Sequence, residues 1–120
     1  MARKKRIETP TGWSLMWIVC MFDIPVRTKL EMRKATMFRN LLLDKGFSMK
    51  QFSVYIKPVN TLDCGKILTK KLSRSIPDNS YVSFLFITDK QYLMAENYFG
   101  KYSTENEEKK RKNEAQLSLF

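Results

Sequence analysis

The chain has 120 residues, 43% of them hydrophobic, with 22 Lys and Arg against 12 Asp and Glu and a formal net charge of +10. This is the length of one small domain with a modest core, and the charge favours nucleic acid or an anionic membrane surface as partner. The chain has no histidine, which excludes Ser-His-Asp and Cys-His catalysis and histidine metal ligands, and its two cysteines, Cys20 and Cys64, form no CxxC pair. A zinc knuckle or disulfide framework is therefore not expected; both cysteines are expected as reduced thiols in a cytosolic core.

In chain order, Met1–Gly12 reads as a basic tail, with the run Arg3-Lys4-Lys5-Arg6 followed by the breaker Pro10-Thr11-Gly12. A basic start ahead of an apolar run resembles a signal peptide. However, Leu15–Phe22 is too short to span a bilayer and runs into Asp23-Ile24-Pro25 with no small-residue cleavage site. The spacing predicts instead a buried strand, Trp13–Phe22, in a cytoplasmic protein. Pro25 closes it and leaves Asp23 at its carboxyl end. Val26–Lys45 is expected as a helix. Ala35, Phe38, Leu41, Leu42 and Lys45 share one face, Arg27, Lys29, Arg33, Lys34 and Arg39 occupy much of the remainder, and Gly46 is the stop.

Phe47–Pro58 follows as two short strands, the second built on the strand formers Ser53–Lys57. Thr61–Ser75 is expected as a helix capped by Thr61, with Cys64, Ile67, Leu68 and Leu72 facing the core. Pro77-Asp78-Asn79-Ser80 is a turn, Tyr81–Thr88 the last strand and Asp89–Phe99 a short helix. Gly100–Gln116 reads as a charged linker before an apolar end, Leu117-Ser118-Leu119-Phe120.

Strand, helix, strand, strand, helix, strand is the ferredoxin-like βαββαβ pattern, an α+β fold with an antiparallel sheet and both helices on one face. The uncovered face needs a cover, and a second copy provides it, giving a homodimer packed through sheet faces. The expected organisation is a tail over 1–12, the domain over 13–99, and linker plus docking segment over 100–120.

Asp23 is the first chemical candidate. A carboxylate fixed at the end of a central strand suits magnesium, which takes oxygen ligands and keeps several waters. Two such carboxylates related by a dimer axis would make a site for phosphodiester hydrolysis. A plainer role is to form the turn and cap the following helix. The second candidate is the basic helix face, Arg27, Lys29, Arg33, Lys34 and Arg39, which would bind phosphates in a salt-dependent way. Lys45–Phe52 partly matches the octamer of the RNA-recognition motif. Its fifth position holds Met49 where a base-stacking aromatic belongs, and the segment falls on the second strand rather than the third.

Phe22-Asp23-Ile24-Pro25, the basic helix after it, Lys45-Gly46-Phe47 and Gln51-Phe52-Ser53-Val54-Tyr55 together resemble CRISPR-associated protein two, the small adaptation protein of CRISPR systems. Asp89-Lys90-Gln91 resembles the form that accompanies a single-protein RNA-guided effector. The resemblance implies a ferredoxin-like homodimer that bridges the CRISPR-associated protein one integrase and holds double-stranded DNA on its basic surface. It also implies a magnesium- or manganese-dependent endonuclease activity, with Asp23 as the metal-binding, catalytic carboxylate facing its symmetry mate. A toxin-type ribonuclease of the same fold and an RNA-binding ferredoxin-like module are the alternatives. For the end of the chain, Gln116, Leu117, Leu119 and Phe120, the resemblance implies strand addition to the dimer or the integrase. The same residues also resemble the short peptide by which bacterial replication proteins bind the sliding clamp, and a third role is packing on the chain's own domain.

Overall fold

The computed structural model describes residues 15–101. The basic tail, the first residues of the expected opening strand, most of the charged linker, and Gln116, Leu117, Leu119 and Phe120 lie outside the described residues. The elements are β1 (Met16–Asp23), α1 (Lys29–Asp44), β2 (Ser48–Gln51), β3 (Val54–Val59), α2 (Leu62–Ser73), β4 (Tyr81–Thr88) and α3 (Asp89–Leu93). The strands form one antiparallel sheet in the order β2-β3-β1-β4, so β1 is central, as the ferredoxin-like reading requires. No helix among the described residues is long and apolar enough to cross a membrane.

Local chemistry accounts for the helix ends. Thr28 starts α1 with a reciprocal box: its hydroxyl accepts from the Glu31 backbone N–H at 3.1 Å, and the Glu31 carboxylate accepts from the Thr28 N–H at 3.1 Å. Asp23 therefore does not cap this helix. At the other end Gly46 has φ +91°. The Phe47 N–H reaches back to the Leu42 carbonyl and the Gly46 N–H to that of Leu43, each at 3.0 Å. This is a Schellman stop, closed by packing of Phe47 and Leu42 within the same core cluster. Thr61 caps α2 as expected, accepting from the Cys64 N–H at 3.1 Å.

Strand alternation decides which side is core. Met16, Ile18, Cys20 and Phe22 of β1 pair across β4 with Thr88, Phe86, Phe84 and Val82. The apolar members of this set pack with Phe38, Leu42, Tyr55, Val59 and Leu72 beneath the helices. Phe22 meets the Phe38 ring edge-on at a centroid distance of 5.6 Å. Trp17, Val19, Met21 and Asp23 point to the opposite face, beside Ile87, Leu85, Ser83 and Tyr81. α3 crosses the Trp17 end of that face. Tyr92 stacks on Trp17 at 4.2 Å, and the indole N–H donates to the Asp89 carboxylate at 2.7 Å.

Two expectations about α2 are corrected. Cys64 is exposed and Ile67 is 60% exposed. The cause is Gly65, the point of closest approach to the sheet: a Cβ there would stand 3.1 Å from Phe86 and 3.3 Å from Val59. The buried line therefore runs Gly65, Leu68, Leu72, and Cys64 and Ile67 rotate off it. α3 also stops at Leu93, well short of Phe99.

Candidate functional site

Asp23 stands at the carboxyl end of the central strand, exposed, directly across from Tyr81 of β4. On its other side the Phe22 N–H donates to the Ser53 carbonyl at 3.1 Å, so the turn between β2 and β3 abuts the residue before Asp23. Ile24-Pro25-Val26 then leads the chain into α1. The carboxylate is held by a hydrogen-bonded strand, faces solvent, and has no hydrogen-bond or ion-pair partner among the described residues. One hard oxygen donor per chain fits a divalent ion that keeps most of its waters, and a second such donor would come from Asp23 of a second copy. Among the described residues no group of three or more Cys, Asp and Glu gathers to hold an ion within one chain.

The five expected phosphate-binding cations do not form a single stripe. Lys29 and Arg33, one turn apart, crown the exposed side of α1 opposite Ala35, Phe38 and Leu42. At 3.6 residues per turn, Lys34 and Arg39 project on opposite flanks of the helix, about 140° apart, each half-buried. Arg39 donates to the Thr36 hydroxyl at 3.1 Å. Arg27 precedes the helix and pairs with Glu31 at 3.1 Å. That side-chain bond, first among the causes, holds the Glu31 carboxyl below the usual carboxylate range. Lys29 and Arg33 are thus the two cations that stand together on α1, while Arg27 is already engaged with Glu31.

Cys20 is no candidate nucleophile. Cys20 is fully buried, and desolvation pushes its thiol up to about 12, far from a thiolate at neutral pH.

A groove on the β2 side has no counterpart among the sequence-derived candidates. Met49, Lys50, Gln51 and Phe52 face Glu96-Asn97-Tyr98-Phe99-Gly100-Lys101 across a cavity of about 870 Å³. Ser53, at φ +63°, tightens the turn that carries Phe52. A signal for it exists, since Lys50 and Phe52 belong to the octamer-like segment. Met49 argues against that motif because it is not aromatic, and Met49 does pack on the core. What brings Tyr98 and Lys101 opposite this segment is the path of the chain after α3, which no local pattern encodes.

A family model described as "CRISPR associated protein Cas2" matches residues 16–95, which span all seven elements and Asp23. A relative from Flavobacterium psychrophilum, named CRISPR-associated endoribonuclease Cas2, is 39% identical over 105 residues, covering 88% of each chain. A relative of the same name from Paracidovorax avenae is 44% identical over 91 residues, covering 76% of this chain and 84% of its own. The fold is similar to a solved structure described as "Crystal structure of cas2", with a TM-score of 0.53 and 16% identity over 76% of this chain and 93% of the other.

Proposed function

This chain belongs to the CRISPR-associated Cas2 family, and from that premise we propose that it serves CRISPR adaptation as a cytoplasmic homodimer. The observation that carries the dimer is the sheet face away from the helices. Met21 and Leu85 are 40% and 42% exposed there, beside Val19, with Asp23 and Tyr81 at the end of the same face. A second copy laid on this face covers the apolar residues and brings two Asp23 carboxylates to one interface. In this reading the dimer bridges the CRISPR-associated protein one integrase and holds double-stranded DNA through Lys29, Arg33 and the flanking Arg27, Lys34 and Arg39.

The relatives' name, endoribonuclease, supports a second capacity, phosphodiester hydrolysis at paired Asp23 residues. A magnesium or manganese ion bound there would supply Lewis-acid polarisation of the phosphate. Asp23 would hold the ion, and the strand end would orient the carboxylate. Gln116, Leu117, Leu119 and Phe120 dock as an added strand on a sheet edge of the dimer or of the integrase, with the replication sliding clamp as the competing partner.

Sedimentation tests the dimer: the expected mass is twice 14.2 kDa, and a monomer at micromolar concentration overturns it. Deleting residues 116–120 tests the tail. Loss of integrase binding with an intact dimer supports the first partner, and loss of clamp binding alone supports the second. Unchanged binding to both with earlier melting refutes docking.

A further inference from the structure

Besides its core line and its Lys29–Arg33 crown, α1 has a third side. Leu30, Lys34, Met37, Leu41 and Asp44 follow one another at alternating steps of four and three residues, the spacing of a coiled-coil seam. At 3.6 residues per turn this seam lies about 110° round the helix from Ala35, Phe38 and Leu42. Leu30 is 53% exposed and Met37 64%, so apolar members of the seam stand in solvent. Facing them, the chain between α2 and β4 forms the other wall of a groove of about 600 Å³, and Ile76 and Pro77 of that wall are half-buried. Phe38 of the core also borders the groove, which therefore lies on the helix side, away from the face given to the sheet-packed dimer.

Charge decides what fits there. The lining holds two cations, Lys34 and Arg74, and two carboxylates, Asp44 and Asp78, in a chain carrying +10 overall. None of the four has an ion-pair or hydrogen-bond partner among the described residues. Copies of so basic a chain repel one another, and the repulsion is least where the local charge cancels. The seam is also complementary to itself. In two antiparallel copies of α1 that cross level with Arg39, Lys34 of each stands opposite Asp44 of the other, and Met37 opposite Leu41. Both ion pairs form in this one register, about 15 Å apart along the helix. A slip of one heptad sets Lys34 opposite Met37, or Asp44 opposite Leu41, a charge against an apolar side chain. Parallel copies would set like charges opposite each other.

We propose that this flank of α1 is a second self-association surface, at which two copies pack their α1 helices antiparallel, with Met37 and Leu41 at the centre and a Lys34–Asp44 pair at either end. The contact is isologous, and it lies on the opposite side of the chain from the sheet face. Sheet-packed dimers therefore join through it into tetramers and longer rows. One helix flank makes a small interface of the transient class, so the association is weak and depends on concentration. Its ion pairs fix register and orientation more than they add affinity. Lys29 and Arg33 stay outside the seam, and Lys34 is the one α1 cation that duplex DNA and this contact share. A helix of another protein with a matching seam is the rival occupant.

The test uses the full chain freed of nucleic acid, at low salt, in sedimentation up to about 1 mM, where small transient interfaces become populated. Wild type should show a mass above the sheet-packed dimer that rises with concentration. Met37→Glu, at an exposed position, should hold the mass at that dimer with an unchanged melting temperature. Leu85→Glu, on the sheet face, should leave a pair joined through α1, and both changes together should leave a monomer. Lys34→Glu and Asp44→Lys should each abolish the heavier species by setting like charges opposite. The two changes in one chain, which keep the net charge, should restore it, and so should an equimolar mixture of the two single variants. A wild-type mass that stays at the dimer up to the highest concentration overturns the proposal. So does a charge swap that restores nothing. Loss of integrase binding in Met37→Glu, with no self-association in wild type, also overturns it and gives the groove to that partner. An unchanged mass in Leu85→Glu counts only against the sheet-packed dimer.

Discussion

Asp23→Asn separates a metal-binding carboxylate from a turn residue. The replacement is isosteric, at an exposed position whose carboxylate has no partner among the described residues and whose cross-strand neighbour Tyr81 is 77% exposed. Thr28, not Asp23, caps α1. The expected stability change is therefore within about 0.5 kcal/mol. In a domain of this size that shifts the melting temperature by less than about 4 °C. The charge change acts on nucleic acid instead. Removing a negative charge about 4 Å from a phosphate relieves roughly 1 kcal/mol of repulsion in water, about a fivefold gain in duplex affinity at low salt. This gain fades as the Debye length shortens to about 8 Å at physiological ionic strength. Cleavage should move the other way. Losing an outer-sphere partner of a metal site already costs about 10–100-fold, so losing the ligand itself should cost at least about 100-fold. The assay follows magnesium-dependent cleavage of labelled single-stranded RNA and duplex DNA, with a chelator control, alongside melting and sedimentation. Wild-type cleavage by a highly purified variant refutes the metal role. A melting loss well beyond about 4 °C shows that Asp23 serves the strand end structurally.

Replacing Lys29 and Arg33 together by Ala should make the plot of log affinity for duplex against log salt shallower by about 0.9 for each phosphate left without its cation, and an unchanged slope moves the DNA to another surface. Leu42→Ala, at a fully buried position that also anchors the Schellman stop, should destabilise by about 2–5 kcal/mol in denaturant titration; a cost under about 1 kcal/mol contradicts the core described above. The Glu31 carboxyl lies lower in the folded chain than unfolded, because Arg27 bonds its ionised form. Its contribution is present above the unfolded value and is lost as pH falls through the folded one. Arg27→Ala should shift that loss to higher pH in an acid titration of helix content, and an unshifted titration shows that the pair does not act in solution.

Sequence alone was enough for the order of elements, because their signals are local. β4 runs over Tyr81–Thr88 as its strand formers predict, Gly46 stops α1 at positive φ, and Thr61 caps α2. Those boundaries lead to the ferredoxin-like topology, and Pro25 places Asp23 at a strand end. The choice of faces was not legible. Leu15–Phe22 is apolar on both sides, so nothing in it says that Ile18 and Cys20 go under the helices while Val19 and Met21 do not. That was settled when α1 and α2 docked on one side. The same docking put Gly65 rather than Cys64 against Phe86 and divided the α1 cations between its crown and flanks. The aromatic and basic groove needs two separated segments: Met49–Phe52, and the return of the chain after α3 to face them. Periodicity reports only neighbours within a turn or a pleat, so a site assembled from distant segments exists only once the tertiary structure has formed.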